Sequence, residues 1–463
     1  MSLTQKIFFI SFTIVITYFV TSLILRQPSL ITIAVVLTVG ILTISFFSPY
    51  TGVTFLVFSM LLSPELKVAG VPGRDVVVRI DDLLIFAVFF GWFAKSIFSK
   101  KIELVLTETL VPIFFYTIIC IIATYFGVIS GIVNFKKAFF YILKYTEYFI
   151  IYFLTTQVVQ TKQQIKNLII AFLITSVIVN IHGISLIGKV PRVYAPFDVP
   201  GAEAALTGGE VGAGEANTYG GYLIIVISLL LSLFCYSEIP TTNFLYLFLI
   251  IFSLIPLAYT KSRSSYFGFV PMVLTIIFLT ERKKTLILSG LLLLFVLSPI
   301  VFPQATDVVV ERIKETFAGP AWSEEEAVIL GFKVRELSAL ARVKSWKKAI
   351  FEFIPKRPIL GFGVTGVGLV DTQIPLIIGE TGLLGLVVFL WLIFSVFKNS
   401  LNTFKTIQDR LAKSLSLCVI SSLVGLLFHS VAANTFIIIR IMEPFWFLCG
   451  LTLVIPSLQH DKI

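Results

Sequence analysis

Three arginines define the most specific chemistry this sequence could perform. Arg192 lies in Pro191-Arg-Val-Tyr-Ala-Pro-Phe197, Arg263 in Tyr259-Thr-Lys-Ser-Arg-Ser-Ser265, and Arg342 in the run SALARVKSWKKAIFEF over 338–353. Each guanidinium stays charged at any relevant pH and offers a planar fork of N–H groups that fits two phosphate oxygens. Converging on one cavity, they would clamp a pyrophosphate. For Arg263, between two apolar blocks, the plainer alternative is a snorkelling helix anchor. Asp371 and Glu380 bracket the start of a further apolar block near Gln373. A carboxylate there can cap the helix or favour its dipole, or act as a general base that takes a proton from a hydroxyl.

Other polar groups are weaker signals. After Arg192 comes a glycine-rich stretch, GAEAALTGGEVGAGEANTYGG (201–221), which carries Asn217 to the start of an apolar block. Backbone N–H groups there could cradle a phosphate at a helix N-terminus. It lacks Walker-A or dinucleotide spacing, and Glu203, Glu210 and Glu215 would repel an anion, so a lid is the competing role. Lys144 with Glu147, and Arg440 with Glu443, stand three apart within apolar blocks. At that spacing opposite charges neutralise each other, although ionisable groups at such depth are also functional candidates. Cys120, Cys235, Cys418 and Cys449 lie in or beside apolar blocks without Cys-x-x-Cys spacing and read as small core hydrophobes. His182, His429 and His460 are too scattered to suggest a metal site, and no metal or cofactor is expected.

The framework that must position these groups is dissolved in lipid. Of 463 residues 57% are hydrophobic and only 13% charged, against about 25% charged in an ordinary soluble domain; the mean hydropathy is +0.98. The apolar residues fall in blocks long enough to cross about 30 Å of hydrocarbon as helices, and they lack the alternation of a membrane barrel. The expected fold is therefore all-α, a polytopic transmembrane helix bundle of about 14 spans. The expected spans are 5–25, 29–48, 50–63, 81–98, 108–131, 138–158, 165–188, 217–236, 243–260, 264–281, 284–302, 373–397, 411–431 and 435–455. The third is short enough to be re-entrant. The first is long and has no small-residue cleavage site after it, so it reads as a span and not as a cleaved signal peptide.

A net charge of +10 could suggest nucleic acid, but Lys and Arg sit mainly in short loops beside spans, where orientation signals belong. With both termini cytoplasmic, the inner loops carry Lys100 and Lys101, Lys162 and Lys166, Arg282 to Lys284, and Lys398, Lys405, Arg410 and Lys413; Lys136 and Lys137 are the exception. This register puts 189–216, 260–263 and one long, partly helical loop, 304–372, on the outer face, together with the three arginines. Within the long loop, 308–317 is amphipathic, and 338–353 repeats apolar residues at three-and-four spacing with a basic face suited to lipid headgroups. The run PKRPILGFGVTGVG (355–368) forbids a regular helix. Four regions follow: N-terminal spans (1–188), central spans with the glycine-rich loop (189–303), the long loop (304–372) and C-terminal spans (373–463).

The order of features from Arg192 onward resembles the bacterial O-antigen ligase and O-antigen polymerase family. The resemblance rests on Ser262-Arg263 opening a span, Arg342 followed by Trp346, Pro358-Ile-Leu-Gly-Phe-Gly363 late in the long loop, and Glu380-Thr-Gly-Leu-Leu-Gly385 in the next span, with Asn217 and Arg440 fitting as well. It implies a glycosyltransferase of the bacterial inner membrane that takes a glycan from an undecaprenyl diphosphate carrier on the outer face. Arg263, Arg342 and Arg192 would contact the diphosphate without a metal. Asn217, Glu380 and Arg440 are further candidate substrate-binding residues, and Asp371 is the candidate for assisting the nucleophile. Ligases of the family commonly carry a histidine about nine residues before the Glu-x-Gly motif, where this chain has Asp371, so the expected function is polymerase. The alternatives are a ligase that transfers polymer to lipid A core and, from another class, a flippase of lipid-linked oligosaccharide. Transporters often show inverted repeats and discontinuous helices, neither of which is evident in the sequence. The implied partners are the lipid-linked donor, a glycan or lipid A core acceptor, and membrane lipid, with a chain-length regulator as an additional candidate.

Overall fold

The computed structural model describes residues 30–71, 74–99, 104–197, 215–280, 282–301, 303–318, 322–329, 332–368 and 370–460. Their helices are α1 (Leu30–Phe47), α2 (Pro49–Leu62), α3 (Ile80–Ser99), α4 (Leu110–Ile129), α5 (Phe135–Val158), α6 (Lys162–Ser185), α7 (Ala216–Tyr236), α8 (Pro240–Tyr259), α9 (Arg263–Leu279), α10 (Lys284–Val301), α11 (Pro303–Ala318), α12 (Leu337–Lys348), α13 (Gln373–Thr406), α14 (Arg410–His429) and α15 (Ile439–Leu453). A π-turn, Ala349–Phe353, and a last turn, Ile354–Lys356, prolong α12. Two antiparallel hairpins interrupt the helical pattern, β1 (Glu65–Val71) with β2 (Arg74–Arg79) and β3 (Trp322–Ile329) with β4 (Phe332–Glu336). The sequence reading missed both.

Eight of these helices, α3, α4, α6, α7, α8, α10, α13 and α14, are long and apolar enough to cross a membrane. With α2 and α9 as shorter apolar helices, this is the bundle of a membrane protein. The expected first span, 5–25, lies outside the described residues, as does most of the glycine-rich loop. The expected short third span is α2, opened by Pro49 and capped by Ser48, whose Oγ accepts from the Thr51 backbone N–H. α5 is long enough to span but carries Lys136, Lys137, Lys144 and Glu147.

α7 is the axis of the bundle: every residue from Ala216 to Tyr236 is buried, against α8, α9, α14 and α15. Lipid supplies no hydrophobic drive between helices, so close approach depends on small residues. Gly268 of α9 shows this: a Cβ there would lie 2.5 Å from the Gly425 carbonyl oxygen of α14. The four cysteines are buried and without disulfides, as core residues.

The largest departure from the sequence reading is in α13. Its backbone breaks at Gly382 (φ 69°, ψ −169°), a conformation essentially restricted to glycine. The bundle therefore does contain a discontinuous helix, which the sequence had not made evident. The break frees the N–H groups of Leu383 and Leu384 and the carbonyls of Gly379 and Glu380 from their usual partners four residues away. The segment 358–363 supplies replacements for all four. Leu383 donates to Pro358 and Leu384 to Ile359 (2.8 and 3.2 Å), while Phe362 donates to Gly379 and Gly363 to Glu380 (2.8 and 2.9 Å). This exchange explains why proline and glycine crowd 355–368: the segment follows the contour of a broken helix. A Cβ at position 382 would meet the Ile359 carbonyl oxygen at 2.2 Å. Gly382→Ala should therefore destabilise the protein by about 2–4 kcal/mol, from the backbone conformation and the clash together, measured as a lowered unfolding midpoint in detergent.

Candidate functional site

At the end of the bundle where α8 finishes, the starts of α7 and α9 meet the C-terminus of α14. The Asn217 side-chain oxygen, on the first turn of α7, is the hub. It accepts from Arg192 Nη2 (3.1 Å), from Ser262 Oγ (2.8 Å) and, more weakly, from Ser264 Oγ (3.4 Å). Ser262 is the N-cap of α9, taking the Ser265 backbone N–H, so the same hydroxyl starts the helix and ties it to α7. Arg192 is held a second time, by Nε on the Thr260 carbonyl (3.0 Å), and Val193 N–H bonds to Tyr259 (3.1 Å). Arg263 occupies the first helical position of α9, between Ser262 and Ser264.

His429 closes this network from the last residue of α14. It is fully buried, with Nε2 3.2 Å from Ser264 Oγ and Nδ1 2.7 Å from Thr435 Oγ1. Next to it, Gln373 N–H reaches the Ser430 carbonyl (3.4 Å) and Gln373 Oε1 accepts from Phe436 N–H (2.9 Å), which brings the start of α13 to the same place. Three helix N-termini, of α7, α9 and α13, thus bring their positive dipole ends to one end of the bundle, an arrangement that favours anions.

Arg342 approaches from α12. Its Nε lies 3.9 Å from Asp371 Oδ2, and its charge acts on His429. Asp371 is fixed by its own N–H, which donates to Ser345 Oγ (3.1 Å) one turn further along α12. Ala349 and Phe353 of the prolonged helix pack on Leu376 and Ile378 of α13. Arg312 of α11 donates from Nε to the Lys261 carbonyl (3.2 Å), and its charge and that of Arg192 both act on Tyr266.

Of the residues singled out from sequence, Arg192, Asn217, Arg263, Arg342 and Asp371 therefore gather at this end of the bundle. Glu380 does not join them. It is buried in the α13 break, where Oε1 accepts from Thr365 N–H (2.8 Å) and Oε2 from the Tyr145 hydroxyl (3.2 Å). Arg440 is also buried elsewhere, donating to the carbonyls of Pro196 (2.6 Å) and Phe197 (2.8 Å) and, at 3.4 Å, Leu61. The expected pairing of Arg440 with Glu443 does not form. Glu443 pairs instead with Arg79 (3.5 Å), which also pairs with Asp81. Lys144 meets Glu147 only at 4.0 Å and is closer to Asp82 (2.9 Å). A tertiary partner thus replaces one within-helix pair and supplements the other, because buried charges need several ligands each.

Two residues at the site were missed. Arg312 lay in the amphipathic stretch 308–317, where its position at the start of the long loop was the available signal. His429 was weighed only as a metal ligand; a histidine followed by Asn434 and Thr435 at the end of an apolar block was the clue. Among the described residues no group of acidic, histidine or cysteine side chains could hold a metal ion.

Residues 246–379 match the model of the O-antigen ligase family, which bears out the resemblance seen in the sequence and supports an O-antigen ligase/polymerase-family protein. The matched region runs from α8 to the first turns of α13. It contains Arg263, Arg312, Arg342 and Asp371; Arg192, Asn217 and His429 lie outside it. No curated protein matches the chain.

Asn217→Ala removes the shared acceptor and leaves buried donors at Ser262 and Ser264. It should lower stability by about 2 kcal/mol and lower the unfolding midpoint, whereas Asn217→Asp, which keeps an acceptor oxygen, should restore most of that loss.

Proposed function

We propose that the protein is an O-antigen polymerase-like glycosyltransferase that joins glycan repeat units carried on undecaprenyl diphosphate. The reading places the bundle in the bacterial inner membrane, termini cytoplasmic, with the long loop and the arginines on the outer face. The observation that carries it is the gathering of Arg192, Arg263, Arg312 and Arg342 with three helix N-termini at one end of the bundle. That is more positive potential than span anchoring requires, and it suits a diphosphate.

In the proposed reaction an acceptor sugar hydroxyl attacks the anomeric carbon of the lipid-linked glycan. The new C–O bond forms on the face opposite the leaving group, so the centre inverts. The bond to the diphosphate oxygen breaks, and its electron pair leaves with the carrier. Charge grows on that diphosphate as the bond lengthens, so guanidiniums fixed beforehand stabilise the transition state more than the ground state, in place of a metal ion. Asp371 takes the hydroxyl proton. Its neighbour Arg342 links the base to the diphosphate clamp, which would order both substrates on one helix.

Two other readings each have one observation in favour. The family description favours a ligase that transfers the polymer to lipid A core. Against it stands Asp371 at the position where ligases, by resemblance, carry histidine. The break at Gly382 is a feature of transporters and favours the flippase reading. Here, however, the freed backbone groups are all taken up by 358–363 and are not left to coordinate a solute.

Arg263→Ala should abolish chain extension, by at least about a hundredfold, while the protein remains in the membrane at normal level; full activity in that variant would end the reading. Transfer by purified protein in detergent, which needs no sealed compartment, separates an enzyme from a flippase. A gel of surface polysaccharide after gene deletion separates the two enzymes: single repeat units on lipid A core mark a polymerase, free carrier-linked polymer a ligase. Asp371→Asn should lower the turnover rate about 10²- to 10⁴-fold with little change in donor binding.

A further inference from the structure

α12 and its prolongation expose a mixed basic and aromatic face. Ser345, Ala349 and Phe353 are buried, whereas Lys344, Lys347, Lys348 and Phe351 are exposed, at the one-turn spacing of a single helix face. Trp346 and Ile350 flank that face and are exposed too. Phe351 is 73% exposed, which for a phenylalanine in water forfeits most of the gain from burying its ring. Between 344 and 357 there are five cations, the three lysines with Lys356 and Arg357, against one carboxylate, Glu352.

The position of the segment indicates what covers this face. The backbone bond from Leu384 N–H to the Ile359 carbonyl holds Ile359, itself 65% exposed, beside α13. From there Leu383, Leu384, Val387 and Leu390 continue as exposed apolar side chains along a helix long and apolar enough to span the membrane. Phe351 precedes Ile359 by eight residues, so the exposed face of α12 leads along the chain toward an apolar surface on a helix of membrane-spanning length. Lysines whose stems lie along apolar groups while their ammoniums reach outward, with aromatic rings between them, suit the headgroup boundary.

We infer that the Lys344, Lys347, Lys348 and Phe351 face of α12, flanked by Trp346 and Ile350, is an interfacial anchor that docks the Arg342-bearing segment on anionic lipid headgroups of the adjoining leaflet. Phe351 and Trp346 enter the headgroup layer, and the lysines attract its phosphates. The inference is independent of the proposed glycan transfer.

The test uses the full chain. The four native cysteines are buried, so Phe351→Cys can be labelled selectively with an environment-sensitive fluorophore, with the unmodified chain as blank and Leu390→Cys as a lipid-facing control. The protein is placed in phosphatidylcholine vesicles containing a minor share of phosphatidylglycerol, with bromine on the acyl chains of one lipid or the other. The label at 351 should emit as in an apolar medium and be quenched several-fold more by brominated phosphatidylglycerol than by the same fraction of brominated phosphatidylcholine. Lys344→Glu, Lys347→Glu and Lys348→Glu together should remove that preference and leave quenching at 390 unchanged. Equal quenching by both lipids would overturn the anionic preference. Emission as in water would overturn the docking, and a dry label that neither lipid quenches would assign the face to a protein partner or a second copy of the chain.

Discussion

A helix that breaks inside a membrane must find partners for every backbone group it releases, because lipid offers none. That constraint shapes the later half of this protein. The break at Gly382 releases two donors and two acceptors, and residues 358–363 return two acceptors and two donors. The clasp joins the end of the long polar segment to α13, with Glu380 binding Thr365, two residues further along the loop, from within the break. The prolonged α12 then packs on the first turns of α13, and Arg342 and Asp371 come to rest beside the start of that helix. A broken span thus fixes the loop to the bundle.

Around the candidate site, Arg192 bonds to the Thr260 carbonyl and the Asn217 amide, Arg312 bonds to the Lys261 carbonyl, and Arg342 lies beside Asp371. Deeper in the bundle several charges of both signs cluster. Arg79 and Lys144 are met by carboxylates of Asp81, Asp82, Glu147 and Glu443, a cluster in which charges stabilise one another. Arg440 lies between these regions and holds the loop that carries Arg192 through the Pro196 and Phe197 carbonyls.

Much of this was legible in the sequence. Apolar blocks located the helices because length and hydropathy decide which segments enter lipid. The arginines were legible because a guanidinium beside a span end invites explanation. The two hairpins were not, since 65–79 and 322–336 are short, lack clean alternation and depend on pairing. The break in α13 was hidden because Thr381-Gly382-Leu383 reads as ordinary apolar helix; only the distant segment that replaces its hydrogen bonds gives Gly382 its meaning. Glu380 and Arg440 were assigned by local motif, whereas their positions depend on residues far away in sequence, Tyr145 in one case and Pro196 in the other.

The buried ion cluster also bears on how the chain is assembled. Arg79 meets Asp81 as soon as α3 begins, but its second carboxylate, Glu443, is synthesised 364 residues later. Throughout that interval the cluster of Asp81, Asp82, Lys144 and Glu147 must hold together without its C-terminal members. Arrival of α15 then supplies Glu443 and Arg440 in a single step. Completion of α15 thereby adds the last members of a cluster begun by the earliest helices, and a chain truncated before it would present its N-terminal half to quality-control proteases with that cluster incomplete.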